Sequence, residues 1–442
     1  MQTKTPTKTG YTDLHNSLLR SFEAGLTPMS KQSSITRFST KSFNESVEAR
    51  RSESVIMELP RNTIRTAFGK GNSLVPTIGD HPDFMHLKGT DDTCYCSITT
   101  LFMDIESSTR LSLLYPLPLV MHIKNSFIRT AIQIVTAFDG HVHRIMGDAV
   151  MAYFGGITHK PEDASIDGLN CSAVLTYFAK NVVLPKLKEM GVDHDFGIRI
   201  GLDHGAEKDV LWSSYGYPGI DEVTATSFYV DVAAKLQHAA SRNQCMLGQS
   251  ILESLDFPEE LVAKKRILKD GVMVDVPFVE PNHTSSDGKL LNYTQRMFDA
   301  DAYLRCTPLG QIAQFTKTDQ QSCIVKAEVF DSQKRDSKGN YFPACSVLPK
   351  ERALRFTIRL PYQPMYPYSI KCKALNHGNE ARLERPNDMG NHEQTYVIQS
   401  AEQYDNFVHW ETTKYRGLHY MDVAVTGHLG KSFETRFGVY VE

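Results

Sequence analysis

Two aspartates stand where a carboxylate can meet solvent and a cation together. Asp104 closes the run Cys96–Asp104 (CSITTLFMD), and Asp148 occupies the tight turn of Arg144-Ile145-Met146-Gly147-Asp148. Brought together by neighbouring strands, such a pair suits divalent metals on a triphosphate, because Mg²⁺ takes one or two carboxylates and fills its shell with phosphate oxygens and water. Just after Asp104, Glu106-Ser107-Ser108-Thr109 offers helix N-caps, and with them backbone N–H groups and hydroxyls that can cradle a phosphate. The plainer alternative is that both are ordinary turn residues, since Asp is common in turns.

The elements that must position these groups can be read from periodicity. Ile98, Leu101, Phe102 and Met103 with two threonines predict a buried strand ending at Asp104. From Pro118 to Phe138, apolar residues recur at three- or four-residue steps (Val120, Ile123, Phe127, Ala131, Ile134, Phe138), which predicts an amphipathic helix closed by Asp139-Gly140. Strands His141–Met146 and Ala149–Phe154 then form a hairpin through Gly147-Asp148. A second helix is expected over Ala164–Met190 with Pro185 near its end, followed by a strand at Phe196–Leu202 and a helix from about Ser227 to Ala240. This order is an α/β (α+β) arrangement of the split βαβ, ferredoxin-like type.

The chain has 442 residues, 41% of them hydrophobic, which is enough for two domains and an extension. A net charge of −3 with interspersed signs excludes a basic nucleic-acid footprint or a polybasic membrane anchor. No apolar run is long enough to span a bilayer and the N-terminus lacks a secretory apolar core, so a cytoplasmic protein is expected. The eight scattered cysteines have no zinc spacing and fit reduced thiols. Residues 1–60 are expected as a polar, flexible or loosely helical extension, 61–305 as the α/β domain with its core at 95–300, and 306–442 as a β-rich, sandwich-like domain.

Four segments, in order, resemble the signatures of class III nucleotide cyclases: Leu101–Thr109, Gly140–Phe154, Ile198–Gly205 and Val230–Leu236. The resemblance implies that Asp104 and Asp148, with the Ile105 carbonyl, hold two Mg²⁺ or Mn²⁺ ions per site. It also implies that Ser107, Ser108 and Thr109 border the phosphates, and that a homodimer completes each site from the fourth segment of the partner. Asp231 and Lys235 stand there where the family places an Asn that orients the ribose and an Arg that meets the transition state. Lysine keeps the charge but lacks arginine's planar fork, and Asp can accept but not donate. At the base-reading positions stand Arg144 and Thr224. Arginine is a pure donor, suited to carbonyl acceptors, so UTP is favoured over CTP and adenine fits badly. A surface ion pair is the plainer reading of Arg144. Lys264, Lys265 and Lys269 are candidates for binding the triphosphate.

Further on, Lys371–Ala381 and His409–Tyr420 resemble the C-terminal sensor domain of bacterial anti-phage cyclases. With Asp231 and Lys235, the whole chain resembles the pyrimidine cyclases of Pycsar defence systems. That resemblance implies cyclic UMP or cyclic CMP as a messenger acting on a separate effector protein. An ordinary adenylate or guanylate cyclase, or a non-catalytic nucleotide-binding protein, are the alternatives.

Overall fold

Helix α1 (Gly10–Leu26) opens the part of the chain described by the computed structural model, which comprises residues 10–26, 56, 58–71, 76–193, 196–284, 287–313, 324–360, 366–399, 407–427 and 432–442. In chain order follow strand β1 (Ile98–Ile105), the short helix α2 (Ser108–Leu114), α3 (Leu117–Ala137) and the hairpin β2 (His141–Met146) and β3 (Ala149–Gly155). Next come α4 (Pro161–Phe178), β4 (Ile198–Gly205), the hairpin β5 (Leu211–Tyr217) and β6 (Ile220–Thr226), and α5 (Phe228–Ala239). β7 (Gln244–Gly248), α6 (Gln249–Ser254), the hairpin β8 (Lys265–Lys269) and β9 (Val272–Val276), and β10 (Gln295–Phe298) complete the first domain.

The main sheet has seven strands in the order β2-β3-β1-β4-β7-β10 with Val262–Ala263 at the edge. Its first four strands follow the ferredoxin-like order, antiparallel throughout, with α3 and α4 as the two crossovers. β4 and β7 pair in parallel, joined through α5. β1 is buried along nearly its whole length because it is flanked by β3 and β4.

The expected helix over Ala164–Met190 is α4, a π-helical turn at Ala179–Val183 and a last helical piece at Leu184–Glu189. Pro185 supplies the reason for the π turn: it has no N–H to give Asn181, and its ring crowds that carbonyl. Within the extension expected as flexible or loosely helical, residues 10–26 are a regular helix. Leu14, Leu18 and Phe22 are buried, and Ser21 Oγ bonds Thr130 Oγ1 of α3 at 3.0 Å. Four-residue spacing puts the three apolar side chains on one stripe. The Ser/Thr-rich stretch SKQSSITRFSTKSFNES lies outside the described residues. Among the described residues no helix is long and apolar enough to cross a membrane.

The C-terminal part is a sandwich of two sheets. One holds Ser337–Tyr341, Ile324–Phe330, Ala353–Arg359 and Phe407–Thr412; the other holds Val347–Leu348, Ser432–Val441, Gly417–Thr426, Tyr368–Leu375 and His392–Ile398. Phe356, Ile358, Ile370, Val423 and Phe437 fill the space between them. Ser337-Lys338-Gly339-Asn340, a cluster of turn-forming residue types, is part of an edge strand that pairs with Ala327–Phe330. An edge exposed to water tolerates such polar residues where a central strand would not.

The two parts share a core. Every residue of α4 from Ala164 to Phe178 is buried, because the sheet covers one side and α3, the helix Ala300–Leu304 and the segment around Ala344 and Val347 cover the rest. Asn170 Nδ2 donates to the Ala344 carbonyl at 2.9 Å, and the Val347 N–H donates to Asp163 Oδ1 at 2.7 Å.

Candidate active site

Asp104 and Asp148 come to one end of neighbouring strands. Met103 lies opposite Val150 in the β1–β3 ladder, so the next residues of each strand bring Asp104 beside the turn that carries Asp148. Gly147 makes that turn with φ of +67°, a conformation that glycine adopts without strain. Asp148 Oδ2 is buried and has no hydrogen-bond partner. Asp104 Oδ2 accepts from Arg199 Nη2 of β4 at 2.6 Å and lies 3.5 Å from Gln237 Nε2 of α5. Among the described residues no group of three or more His, Cys, Asp or Glu converges. Two carboxylates, one with a buried oxygen left over, fit a hard divalent cation that takes its other ligands from phosphate and water. The Ile105 carbonyl belongs to the same strand end.

The hydroxyl turn behaves differently from expectation. Ser107 is at the N-cap of α2 in the left-handed region, with φ of +57°, and makes no side-chain cap bond. Ser108 is buried, while Ser107 and Thr109 face solvent. With φ positive, the Ser107 side chain is turned from the N–H groups that a cap would satisfy.

Arg144 is re-aimed by a bulge. The β2–β3 register slips between Val142 and Arg144, so Val142 and His143 are both buried and Arg144 emerges toward the β5–β6 hairpin. There its Nε donates to Glu222 Oε2 at 2.9 Å, and its Nη2 also meets that carboxylate. Thr224, two residues along β6 from Glu222 and so on the same face, lies with Oγ1 3.4 Å from Tyr153 Oη. The carboxylate beside Arg144 went unread in the sequence, because the partners are 78 residues apart and Glu222 sits in a hairpin with no clean alternation.

Helix α5 carries Asp231 and Lys235. Ser227 caps it, its Oγ accepting from the Tyr229 N–H at 3.3 Å. Gly201 of β4 lets the helix lie close to the sheet: a Cβ there would stand 2.1 Å from the Ala233 carbonyl oxygen. Val232, Ala233 and Leu236 face inward, and Gln237 reaches Asp104. At 100° per residue, Asp231 and Lys235 project from the opposite face. Within one chain, therefore, they are not brought to Asp104 and Asp148. Lys235 Nζ lies 2.5 Å from His283 Nε2. Lys264 pairs with Asp275 at 3.6 Å, and Lys265 and Lys269 lie at the two ends of β8, on the exposed β8–β9 hairpin.

Behind α5 is a buried carboxyl. Asp203 Oδ2 accepts from Tyr293 Oη at 2.7 Å, and Oδ1 accepts from the N–H groups of His204 at 2.9 Å and Ile251 at 3.2 Å. Burial pushes its pKa up to about 7 in spite of these bonds. Its neighbour His204 is pushed down to about 4 by burial, and its Nδ1 lies 2.9 Å from Thr99 Oγ1.

Comparison with known proteins gives three results. Residues 308–442 match the family model of the Adenylyl/Guanylyl and SMODS C-terminal sensor domain. A cytidylate cyclase of Escherichia coli is 37% identical over 377 residues, covering 82% of this chain and 78% of that protein. One of Staphylococcus aureus is 34% identical over 366 residues, covering 81% of this chain and 82% of that protein. Among solved structures, the adenylyl cyclase CyaB from P. aeruginosa is matched at 15% identity over 47% of this chain and 95% of that one, with a TM-score of 0.38.

Proposed function

Since the chain belongs to the family of the cytidylate cyclases, class III nucleotide cyclases, we propose that it converts CTP to 3′,5′-cyclic CMP and pyrophosphate, with UTP as the poorer substrate. The observation that carries the base assignment is the Arg144–Glu222 pair. Arg144 alone is a donor and would suit the two carbonyls of uracil. With Glu222 beside it, the site offers a donor and an acceptor side by side. Cytosine presents the complement, a ring acceptor next to an amino donor, so the balance moves from UTP to CTP. The names of the relatives point the same way.

In the reaction the ribose 3′-hydroxyl gives its proton to solvent water and its oxygen bonds to the α-phosphorus, while the bond from that phosphorus to the bridging oxygen of pyrophosphate breaks. Divalent ions held by Asp104 and Asp148, with the Ile105 carbonyl, would supply charge stabilisation to the triphosphate. Ser107 and Thr109, exposed at the start of α2, would border the phosphates, with the buried Ser108 holding the turn. Asp231 accepts a hydrogen bond from the ribose, and Lys235 places its charge on the α-phosphate oxygens as they gain negative charge.

The opposed faces of α5 support a site shared between two copies of the chain. Gln237 is turned to its own Asp104, so Asp231 and Lys235 serve the site of a partner. Leu113 and Leu117 at the α2–α3 junction, and Tyr217 and Ile220 on the β5–β6 hairpin, are exposed apolar side chains that a partner can cover. The cyclic nucleotide would act as messenger for a separate effector in defence against phage, as the resemblance to Pycsar cyclases implies. The test is to incubate the purified protein with each of the four triphosphates and Mn²⁺ and identify the products by mass spectrometry. Cyclic CMP as the main product is expected; cyclic UMP as the main product overturns the base assignment, and cyclic AMP or GMP as the main product, or no pyrophosphate at all, overturns the reading.

A further inference from the structure

Lys235 is a flexible chain with four rotatable bonds, standing where a rigid fork would orient itself. We propose that His283 is the positioning residue for Lys235, holding its ammonium group in the orientation that the reaction needs. The inference rests on the reading of Lys235 given above.

An ammonium group has three donors and no acceptor. The 2.5 Å contact between Lys235 Nζ and His283 Nε2 therefore requires Nε2 to be the unprotonated nitrogen, with the ring proton on Nδ1. One of the three Lys235 donors is used on the ring, and two are left for phosphate oxygens.

His283 is itself fixed from two directions. The Leu291 N–H donates to its carbonyl at 2.8 Å, and Thr284 and Leu290 bridge beside it. Its ring meets Phe228 of α5 edge-on at 6.0 Å, and Phe228 meets Tyr293 at 5.2 Å. Tyr293 is tied to the fold by its hydroxyl, which donates to the buried Asp203 and accepts from the Ser250 N–H at 2.8 Å. The Val279 N–H donates to the Tyr293 carbonyl at 2.8 Å, which ties the two runs of this arm together. A chain of fixed groups thus runs from the centre of the sheet to the Lys235 ammonium. A lysine left free would have to lose its rotamer freedom in each turnover.

The experiment is a double-mutant cycle on the full chain with CTP and Mn²⁺. His283→Ala should lower kcat about tenfold and leave KM within about twofold, because the group acts in the transition state. His283→Gln, whose amide oxygen can accept from Lys235, should recover most of the loss. In the Lys235→Ala background, His283→Ala should have no further effect. An equal loss in both backgrounds overturns the proposal and leaves His283 a packing residue; so does an unchanged kcat in the single variant. Nitrogen-15 NMR of the imidazole gives a readout that needs no turnover. Nε2 should be unprotonated at neutral pH in the wild type and lose that preference in Lys235→Ala. A proton on Nε2 in the wild type overturns the contact. If the wild type cyclises no nucleotide, the proposed function fails, while the NMR result still decides on His283.

Discussion

Asp104 and Arg199 face each other directly across the β1–β4 ladder, and the 2.6 Å contact between Oδ2 and Nη2 holds the carboxylate at the strand end. Both side chains are partly exposed, at 21% and 22%, so the pair organises the site more than it stabilises the fold. Asp148, by contrast, has a buried oxygen with no partner. One carboxylate is positioned by protein and the other keeps an oxygen without a protein partner.

Substituting either with the isosteric amide should therefore separate activity from stability. Asp104→Asn or Asp148→Asn is expected to cut turnover about a thousandfold, roughly 4 kcal/mol of transition-state stabilisation. Thermal unfolding of Asp148→Asn should be unchanged or slightly later, because an unpaired buried oxygen gains nothing from its charge. Turnover within tenfold of wild type in either variant would rule out the metal role.

Base choice should respond to both members of the Arg144–Glu222 pair. Arg144→Ala should lower CTP turnover by about 1.5–3 kcal/mol, the scale of a charged hydrogen bond. Glu222→Gln keeps the shape but loses the carboxylate, and should narrow the ratio of CTP to UTP turnover. A ratio unmoved by Glu222→Gln removes that residue from base reading.

Asp203 gives a pH signature in stability. Its carboxyl titrates near pH 7 in the folded protein and near 4 when unfolded. The native state thus holds the proton between these values, and the stabilisation is complete below about pH 4 and lost as pH rises through about 7. Asp203→Asn cannot titrate, so its stability should fall less than that of wild type between pH 5 and 8, as read by urea unfolding. Parallel slopes would mean that Asp203 is already charged in the fold.

The proposed sharing of each site between two copies predicts complementation. Asp104→Ala and Lys235→Ala should each be nearly inactive as pure homodimers. In a mixed dimer, one site carries both lesions and the other none. Random mixing makes about half the dimers mixed, so about a quarter of wild-type activity should return. Mixed dimers, verified by two affinity tags, that recover nothing would refute a composite site.

What the sequence determined by itself is local. The apolar steps of Leu117–Ala137, the turn at Gly147-Asp148, the helix from about Ser227, and the aspartate near the end of β1 all depend on neighbours within a few residues. Backbone propensity and burial impose period and punctuation at that range. Tertiary structure decided the rest, since these relationships join residues remote in sequence. The β2 bulge that turns Arg144 toward Glu222 is invisible in His-Val-His-Arg-Ile-Met, because an extra residue changes the parity of the strand only once a partner strand exists. Helix α4 reads as an ordinary second helix, yet is buried on all sides because the sheet, α3 and the helix Ala300–Leu304 surround it. No motif in the sequence marks His283, which meets Lys235 because its segment lies against Phe228 of α5.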